Sequence, residues 1–374
     1  MFDIWLIYLV VYTVLMGSII LVGFLAQRKK EANRVEEAER KLDSEDITVL
    51  IPFRNEYKRL PVILESIQQL TSYPKEFIFL DDHSNDSGSQ LIKEALVGIN
   101  YSIHSTPEHK AGKKGALRFG MEKVQSAYVI TMDADVEIPS DYFNRINELP
   151  AADMYVLPVI MEPKRFMEYL YEIDLVLVTA ANAGLAGLKR PIMASGANLL
   201  YRTDTFNRVD DYDSHAHAAS GDDTYLLRDF RINKTDVRLH TDPELAIRTE
   251  TPQSFREFID QRLRWIGKTG DIKDHLSTLL AVLQALLTIG FFGFLVYFMA
   301  MQLWLVVLIL IVHKSIVDLI LFAPYFFRLK RYGTWALIPI YELLFPLYTL
   351  IILTLVFTYK PKWKGRAIYK KQEG

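Results

Sequence analysis

Ile47-Thr48-Val49-Leu50-Ile51-Pro52-Phe53-Arg54-Asn55-Glu56 is the stretch on which the fold class turns. Its apolar part, residues 47–52, is strand-like and runs straight into a charged turn. The same alternation repeats outward from it. Residues 60–70 read as a helix, 77–80 as a strand and 90–97 as a helix; 115–124 read as a helix, 128–132 as a strand and 154–159 as another strand. Strands alternating with helices predict an α/β fold with a mainly parallel sheet. Ligands of such sheets bind beyond the carboxyl ends of the strands, and the acidic groups of this chain fall there.

The 374 residues suffice for one large domain and a set of membrane helices. Half are hydrophobic, yet 24% are charged, which does not suit a wholly buried membrane bundle. The net charge of −2 gives no basic field for nucleic acid, so no nucleic-acid partner is expected. Without cysteine there are no disulfides, thiolate metal sites or cysteine nucleophile.

The apolar residues are concentrated at the two ends. Residues 4–26 carry no charge and meet the length of about 20 residues that a helical span needs. Arg28, Lys29 and Lys30 follow at once and no basic region precedes, so the run is expected to be an uncleaved anchor with its C-terminal end in the cytoplasm; a buried core helix is the alternative. Three more apolar runs occupy 276–298, 302–322 and 335–357. The middle one holds His313, Lys314 and Asp318, which should face other helices, a cavity or the interface. Pro339, Glu342 and Pro346 in the last invite a kink or a re-entrant path. Three simple spans after a cytoplasmic domain would put the basic tail outside, so one run is expected to be interfacial or re-entrant. Residues 166–188 are also long and apolar, but Glu168, Glu172 and Asp174 in their first half favour an amphipathic helix at a membrane-facing surface. The expected organisation is an anchor over 1–28, a charged linker over 29–45, an α/β domain over 46–270, C-terminal membrane or interfacial helices over 271–358 and a basic tail over 359–374. A multi-pass membrane protein with the α/β domain on the cytoplasmic side is expected, with a bacterial inner membrane as the expected location.

Three acidic clusters carry the chemistry. Asp81-Asp82-His83-Ser84-Asn85-Asp86 follows a strand and can accept hydrogen bonds from a nucleobase or ribose; a polar turn is the plainer alternative. Asp133-Ala134-Asp135 follows another strand. Two carboxylates spaced i, i+2 can share Mg²⁺ or Mn²⁺ and the phosphates that the cation neutralises; a solvated turn is the alternative. In Ser220-Gly221-Asp222-Asp223, ahead of a helix-like segment, one carboxylate can cap the helix and the other can act as general base. Gly112-Lys113-Lys114-Gly115 opens a helix and suits a diphosphate. In Gln261-Arg262-Leu263-Arg264-Trp265, residues 261, 264 and 265 lie close to one helical face. Arg264 can pair with phosphate and Trp265 can stack on a sugar; an interfacial helix with snorkelling arginines is the alternative.

Taken in order over roughly residues 46–270, these features resemble glycosyltransferase family 2. The resemblance implies a GT-A (Rossmann-like) nucleotide-sugar-binding domain with flanking transmembrane helices. It implies that Pro52, Arg54 and Glu56 line the nucleoside pocket, that Asp81 and Asp82 contact the uridine, and that Lys113 and Lys114 lie near the nucleotide. Asp133 and Asp135 match the family's metal motif, the second being the usual cation ligand, with Mg²⁺ or Mn²⁺ as cofactor. Asp222 and Asp223 match the base motif, with the final Asp as catalytic base. Gln261, Arg264 and Trp265 match the Gln-x-x-Arg-Trp motif of the polysaccharide synthase-like and ceramide glucosyltransferase-like branches. Gln261 and Arg264 would then serve the donor, and Trp265 the acceptor. His215 and His217 fall outside the pattern and read as part of a loop before the base. The implied activity is an inverting transfer from a nucleotide-sugar, a UDP-sugar by this pattern, to a membrane lipid at the bilayer surface. A processive or short-chain polysaccharide synthase is the alternative within the class, and a catalytically silent nucleotide- or lipid-binding membrane scaffold the alternative outside it.

Overall fold

A computed structural model describes residues 2–36, 40–211, 221–271 and 274–359, with the short pairs 362–363 and 366–367. His215, His217 and most of the basic tail lie outside the described residues. The chain divides into two compact units, one built from 1–27, 163–189 and 251–367, the other from 28–162, 190–250 and 368–374.

The second unit is the α/β part. Its strands are β1 (Ile47–Phe53), β2 (Glu76–Asp81), β3 (Tyr101–Ser105), β4 (Tyr128–Thr131), β5 (Val136–Glu137), β6 (Met154–Val156), β7 (Val159–Glu162), β8 (Leu199–Arg202), β9 (Val237–Leu239) and β10 (Ile247–Glu250). Seven form one sheet in the order β3-β2-β1-β4-β8-β6-β9, and β5-β10-β7 form a second. β1 pairs parallel with β2 and β4, and β2 with β3. β8 runs antiparallel to β4 and β6, so the sheet is parallel on one side and mixed on the other. β1 is buried at all seven positions, as its unbroken apolar run requires of a central strand covered on both faces.

Two elements differ from the sequence reading. The segment expected as one strand over 154–159 is two strands in two different sheets. Pro158 supplies no amide N–H and stands at the break, where the chain changes sheets. β3, half-buried at the sheet's edge, has no apolar run that would have announced it. The charge-rich segment before β1 is helical as far as Glu36, and it is not merely a spacer. Glu31 is buried and accepts the Thr241 amide at 2.9 Å and hydroxyl at 3.0 Å, while Leu42 joins the core of the domain.

Asn198 crosslinks the unit from within. Its amide donates to Pro158 O at 2.8 Å and Leu245 O at 2.9 Å, and its oxygen accepts the Tyr142 hydroxyl at 2.6 Å. Burial raises the Tyr142 pKa well above the usual phenol range, so the hydroxyl stays a donor.

Helices long and apolar enough to cross a membrane occupy Ile4–Arg34, Phe166–Leu188, Ser277–Ala300, Trp304–Arg328 and Ile338–Val356, all in the first unit except the last residues of the first helix. Phe166–Leu188 meets the first of these backbone to backbone. A Cβ on Gly184 would lie 2.0 Å from Ile19 O, and one on Gly187 would lie 1.8 Å from Gly23 O. Only glycine permits that approach. The acidic residues of this helix are not water-facing, as their polarity suggested, but buried and paired. Glu172 accepts Thr334 Oγ1 at 2.5 Å and pairs with Arg331 at 3.0 Å; Asp174 accepts the Tyr341 hydroxyl at 2.5 Å. Both flanks of the helix continue into strands of the α/β unit. A crossing by this helix alone would put those strands on opposite sides of a bilayer, so length and apolarity do not make it a span. Lys314 and Asp318 are likewise paired inside, at 2.7 Å, with Tyr12 and Glu342 completing the cluster.

Replacing Asn198 with Ala leaves two buried carbonyls and a buried hydroxyl unpaired, at a cost of about 2–4 kcal/mol. The midpoint of thermal unfolding of the full chain in detergent is expected to fall by about 5–15 °C.

Candidate active site

The parallel pairing of β1 to β4 brings their carboxyl ends to one edge of the sheet. The loops after β1 and β2 are tied together there. The Asn55 amide donates to Ser84 Oγ at 3.1 Å, the Asn85 amide to Asn55 Oδ1 at 2.7 Å, and the Tyr57 amide to Asp86 Oδ2 at 2.9 Å. Asn55 and His83 both adopt positive φ in these turns. Pro52 sits inside β1, paired with Leu80, and the carbonyl of Glu56 accepts the Arg59 and Leu60 amides to start the next helix.

The adjacent carboxylates of Asp81 and Asp82 do different things. Asp81 accepts the Ser84 amide at 2.8 Å and the Ser89 hydroxyl at 3.1 Å, and it stays partly open to solvent. Asp82 is 2% exposed; it accepts the Gly112 amide at 2.8 Å and faces Arg54 at 3.8 Å. Arg54 also donates to the Asp82 carbonyl at 3.1 Å. A carboxylate this buried must be paired, and these partners fix the loop that follows β3. Gly112 has φ +102°, a left-handed conformation that disfavours any side chain, and it caps the helix Lys113–Met121.

The two lysines opening that helix point to different places. Lys113 Nζ lies 2.5 Å from Asp133 Oδ1. Lys114 is buried, its ammonium 5.0 Å from the centre of the Tyr225 ring, and it lines a cavity together with Arg118, Asp210 and Asp223.

After β4 the side chains alternate, with Met132 and Ala134 buried and Asp133 and Asp135 outward. Asp135 lies 3.5 Å from Arg59. Two outward carboxylates are a hard-oxygen set suited to Mg²⁺ or Mn²⁺. Among the described residues no third His, Cys, Asp or Glu joins them, so an ion held here would take its other ligands from a bound molecule and water. Cationic Lys113 and Arg59 already stand against both carboxylates, the charge that a metal would supply.

Asp223 lies in the first turn of the helix Asp222–Ile232, which Gly221 opens at φ +98°. Its Oδ2 accepts the Gly196 amide at 3.1 Å; its Oδ1 accepts the Thr224 amide at 2.7 Å and the Thr224 hydroxyl at 3.1 Å. Gly196 precedes β8, which pairs Leu199 with Thr131 beside the Asp133 turn. The third acidic cluster therefore reaches the same sheet edge as the other two. No sequence signal marks the Gly196 amide, because a backbone donor has no residue type.

In the first unit, Gln261, Arg264 and Trp265 share the helix Phe255–Asp271. Gln261 Oε1 is buried without a hydrogen-bond partner among the described residues. Burial lowers the Arg264 pKa, with Asp260 opposing the shift. Arg262, which the sequence reading gave no role, is the most enclosed. It is 3% exposed, 2.6 Å from Asp174, with its guanidinium 4.1 Å over the Trp265 ring and 5.0 Å over Phe258.

Known proteins resemble the chain at two levels. Residues 48–166 match Glycosyl transferase family 2, and residues 128–359 match Glycosyl transferase family group 2. A 4,4'-diaponeurosporenoate glycosyltransferase of Staphylococcus haemolyticus is 26% identical over 234 residues, 59% of this chain and 60% of that protein. An undecaprenyl-phosphate 4-deoxy-4-formamido-L-arabinose transferase of Pectobacterium atrosepticum is 31% identical over 120 residues, 28% of this chain and 34% of that protein. The matches thus span about a third to three-fifths of these relatives' lengths. In structure, the mannosyltransferase PcManGT from Pyrobaculum calidifontis, solved with GDP-Man and Mn²⁺, superposes with a TM-score of 0.56 at 14% identity, over 95% of this chain and 98% of that one. At that identity the likeness is one of fold.

Asp82→Ala removes the acceptor that holds Gly112. Losing one charged hydrogen bond of about 1.5–3 kcal/mol should speed amide exchange over residues 112–115 by at least about tenfold. Unchanged protection there would show that the loop is held by other contacts.

Proposed function

Because the chain belongs to glycosyl transferase family 2, we propose that it transfers a sugar, with inversion, from a nucleotide-sugar donor to the hydroxyl or acidic oxygen of a membrane lipid. The observation that carries the reading is the convergence of Asp81, the Asp133–Asp135 turn and Asp223 on one sheet edge, from three separate segments of the chain. The lipid acceptor is supported by the long apolar helices and by relatives whose names specify 4,4'-diaponeurosporenoate and undecaprenyl phosphate.

In this reading Asp81, at the end of β2, receives the nucleobase, a UDP-sugar being the expected donor. Pro52, Arg54 and Glu56 border it, and buried Asp82 holds the pocket's far wall through Gly112. Asp133 and Asp135 would hold a divalent cation, Mg²⁺ or Mn²⁺, which when bound neutralises the diphosphate. Lys113 would balance the charge of the departing phosphates, and the family motif assigns Gln261 and Arg264, in the other unit, to the donor. Where the acceptor is a hydroxyl, Asp223 takes its proton as the oxygen forms the new bond to the anomeric carbon; an acidic oxygen attacks already ionised. The bond from that carbon to the diphosphate breaks, and its electron pair leaves with the phosphate. Gly196 and Thr224 aim the base, while Asp222 starts its helix. Trp265 borders the acceptor. Burial makes Arg264 easier to deprotonate than a free arginine, but an arginine starts so high that it remains cationic at neutral pH.

Incubating the purified protein with labelled nucleotide sugars, a membrane lipid extract and Mg²⁺ or Mn²⁺ tests the reading, with mass spectrometry of the products. A glycolipid with one added sugar is expected; a polymer would indicate a synthase, and no transfer would point to a binding scaffold. Asp223→Asn should cut transfer by about 10²–10⁴-fold while donor binding survives. Chelation should stop transfer in the wild-type protein, with either cation restoring it, whereas Asp135→Asn should remain inactive when the cation is returned.

A further inference from the structure

Arg262 is the inner neighbour of the three residues that match the family motif, and its surroundings are unusual. Its Nε lies 2.6 Å from Asp174, yet Nη1 and Nη2 have no hydrogen-bond acceptor among the described residues. Aromatic faces take the acceptors' place, Trp265 at 4.1 Å and Phe258 at 5.0 Å from the guanidinium carbon. A planar cation can lie flat on rings in a way that an ammonium cannot.

The elements around this cation fix it in turn. Asp174 belongs to Phe166–Leu188 and is held by the Tyr341 hydroxyl at 2.5 Å, from Ile338–Thr358. Phe258 stacks on Tyr171 at 4.3 Å with an interplanar angle of 16°, and it meets Tyr348 at 5.3 Å. Three helices therefore surround the guanidinium, and the guanidinium lies against the Trp265 ring. At 3% exposure Arg262 cannot itself touch a substrate without opening the unit. Trp265 is partly exposed.

We infer that Arg262 is a positioning residue for acceptor binding: pinned by Asp174, it holds the indole of Trp265 flat and in place as one wall of the acceptor site. This rests on the reading of Trp265 as an acceptor contact. The pair is not merely a stabilising ion pair, because a neutral pair of similar volume would serve that purpose as well.

The test uses the full chain, labelled with 5-fluorotryptophan and reconstituted in nanodiscs. The Trp265 resonance is assigned by its absence in Trp265→Phe. In the double variant Arg262→Met/Asp174→Asn both charges go, while Tyr341 keeps a hydrogen-bond acceptor. That protein is expected to remain monodisperse, with a shifted and narrowed Trp265 ¹⁹F line. In transfer assays with vesicles of a bacterial total lipid extract, the lipid concentration for half-maximal rate should rise about tenfold, with donor hydrolysis unchanged. A folded double variant with an unmoved Trp265 line and unchanged half-saturation overturns the inference. If the double variant does not fold, Asp174→Asn alone gives the same readout with a smaller displacement. If Trp265→Ala leaves half-saturation unchanged, the acceptor reading of Trp265 fails. The ¹⁹F line then still reports whether Arg262 holds the ring.

Discussion

The carboxylate of Asp82 has almost no access to water, and charge in that position is tolerable only if it is paired. Its partners are the Gly112 amide and Arg54, which belong to the loops after β3 and β1. Three consecutive loops at the sheet's carboxyl edge are thus tied to one buried charge. What depends on it is the start of the helix Lys113–Met121. Once Gly112 is fixed, Lys113 is directed to Asp133 and Lys114 to the cavity beside Asp223. One helix start consequently addresses both the Asp133 turn and Asp223. Gly115 tightens the same corner, since a Cβ there would lie 2.0 Å from Lys110 O.

The other unit solves a different problem with related means. Its apolar helices carry buried charges that are paired inside: Lys314 with Asp318 and Glu342, Glu172 with Arg331, Asp174 with Arg262. Such pairs cost desolvation and return little net stability, so they are better understood as fixing which helix faces meet. Glycine does the same through shape. Gly184 and Gly187 let two backbones touch, which sets the depth at which Phe166–Leu188 sits against the first helix. Rigid support of this kind is what a site made of single side chains on separate helices requires.

Much of the architecture was written in local pattern. The unbroken apolar run of β1, the helix after it and the acidic turns after β2 and β4 are readable because burial on both faces, helical periodicity and turn chemistry each leave a short-range trace. The hydropathy of the terminal runs gave the long helices for the same reason. Beyond that the trace fades. β3 lies at the sheet's edge and need not be apolar. Residues 154–159 have uniform strand composition, and only the sheet's geometry assigns the two sides of Pro158 to different partners. Glu168, Glu172 and Asp174 looked water-facing, since polarity in a sequence says nothing about whether a partner is waiting inside.

By itself the sequence determined an α/β domain of glycosyltransferase type, flanked by apolar helices, and the residue types that such chemistry needs. Those are properties of composition and spacing along the chain. The tertiary structure alone decided which of two adjacent aspartates is buried, which of two adjacent lysines faces Asp133, and that the Gly196 amide holds Asp223. It alone decided that Arg262, not Arg264, lies against Trp265. These are relations between residues far apart in the chain or on opposite faces of one turn, and they exist only once the strands have paired and the helices have packed.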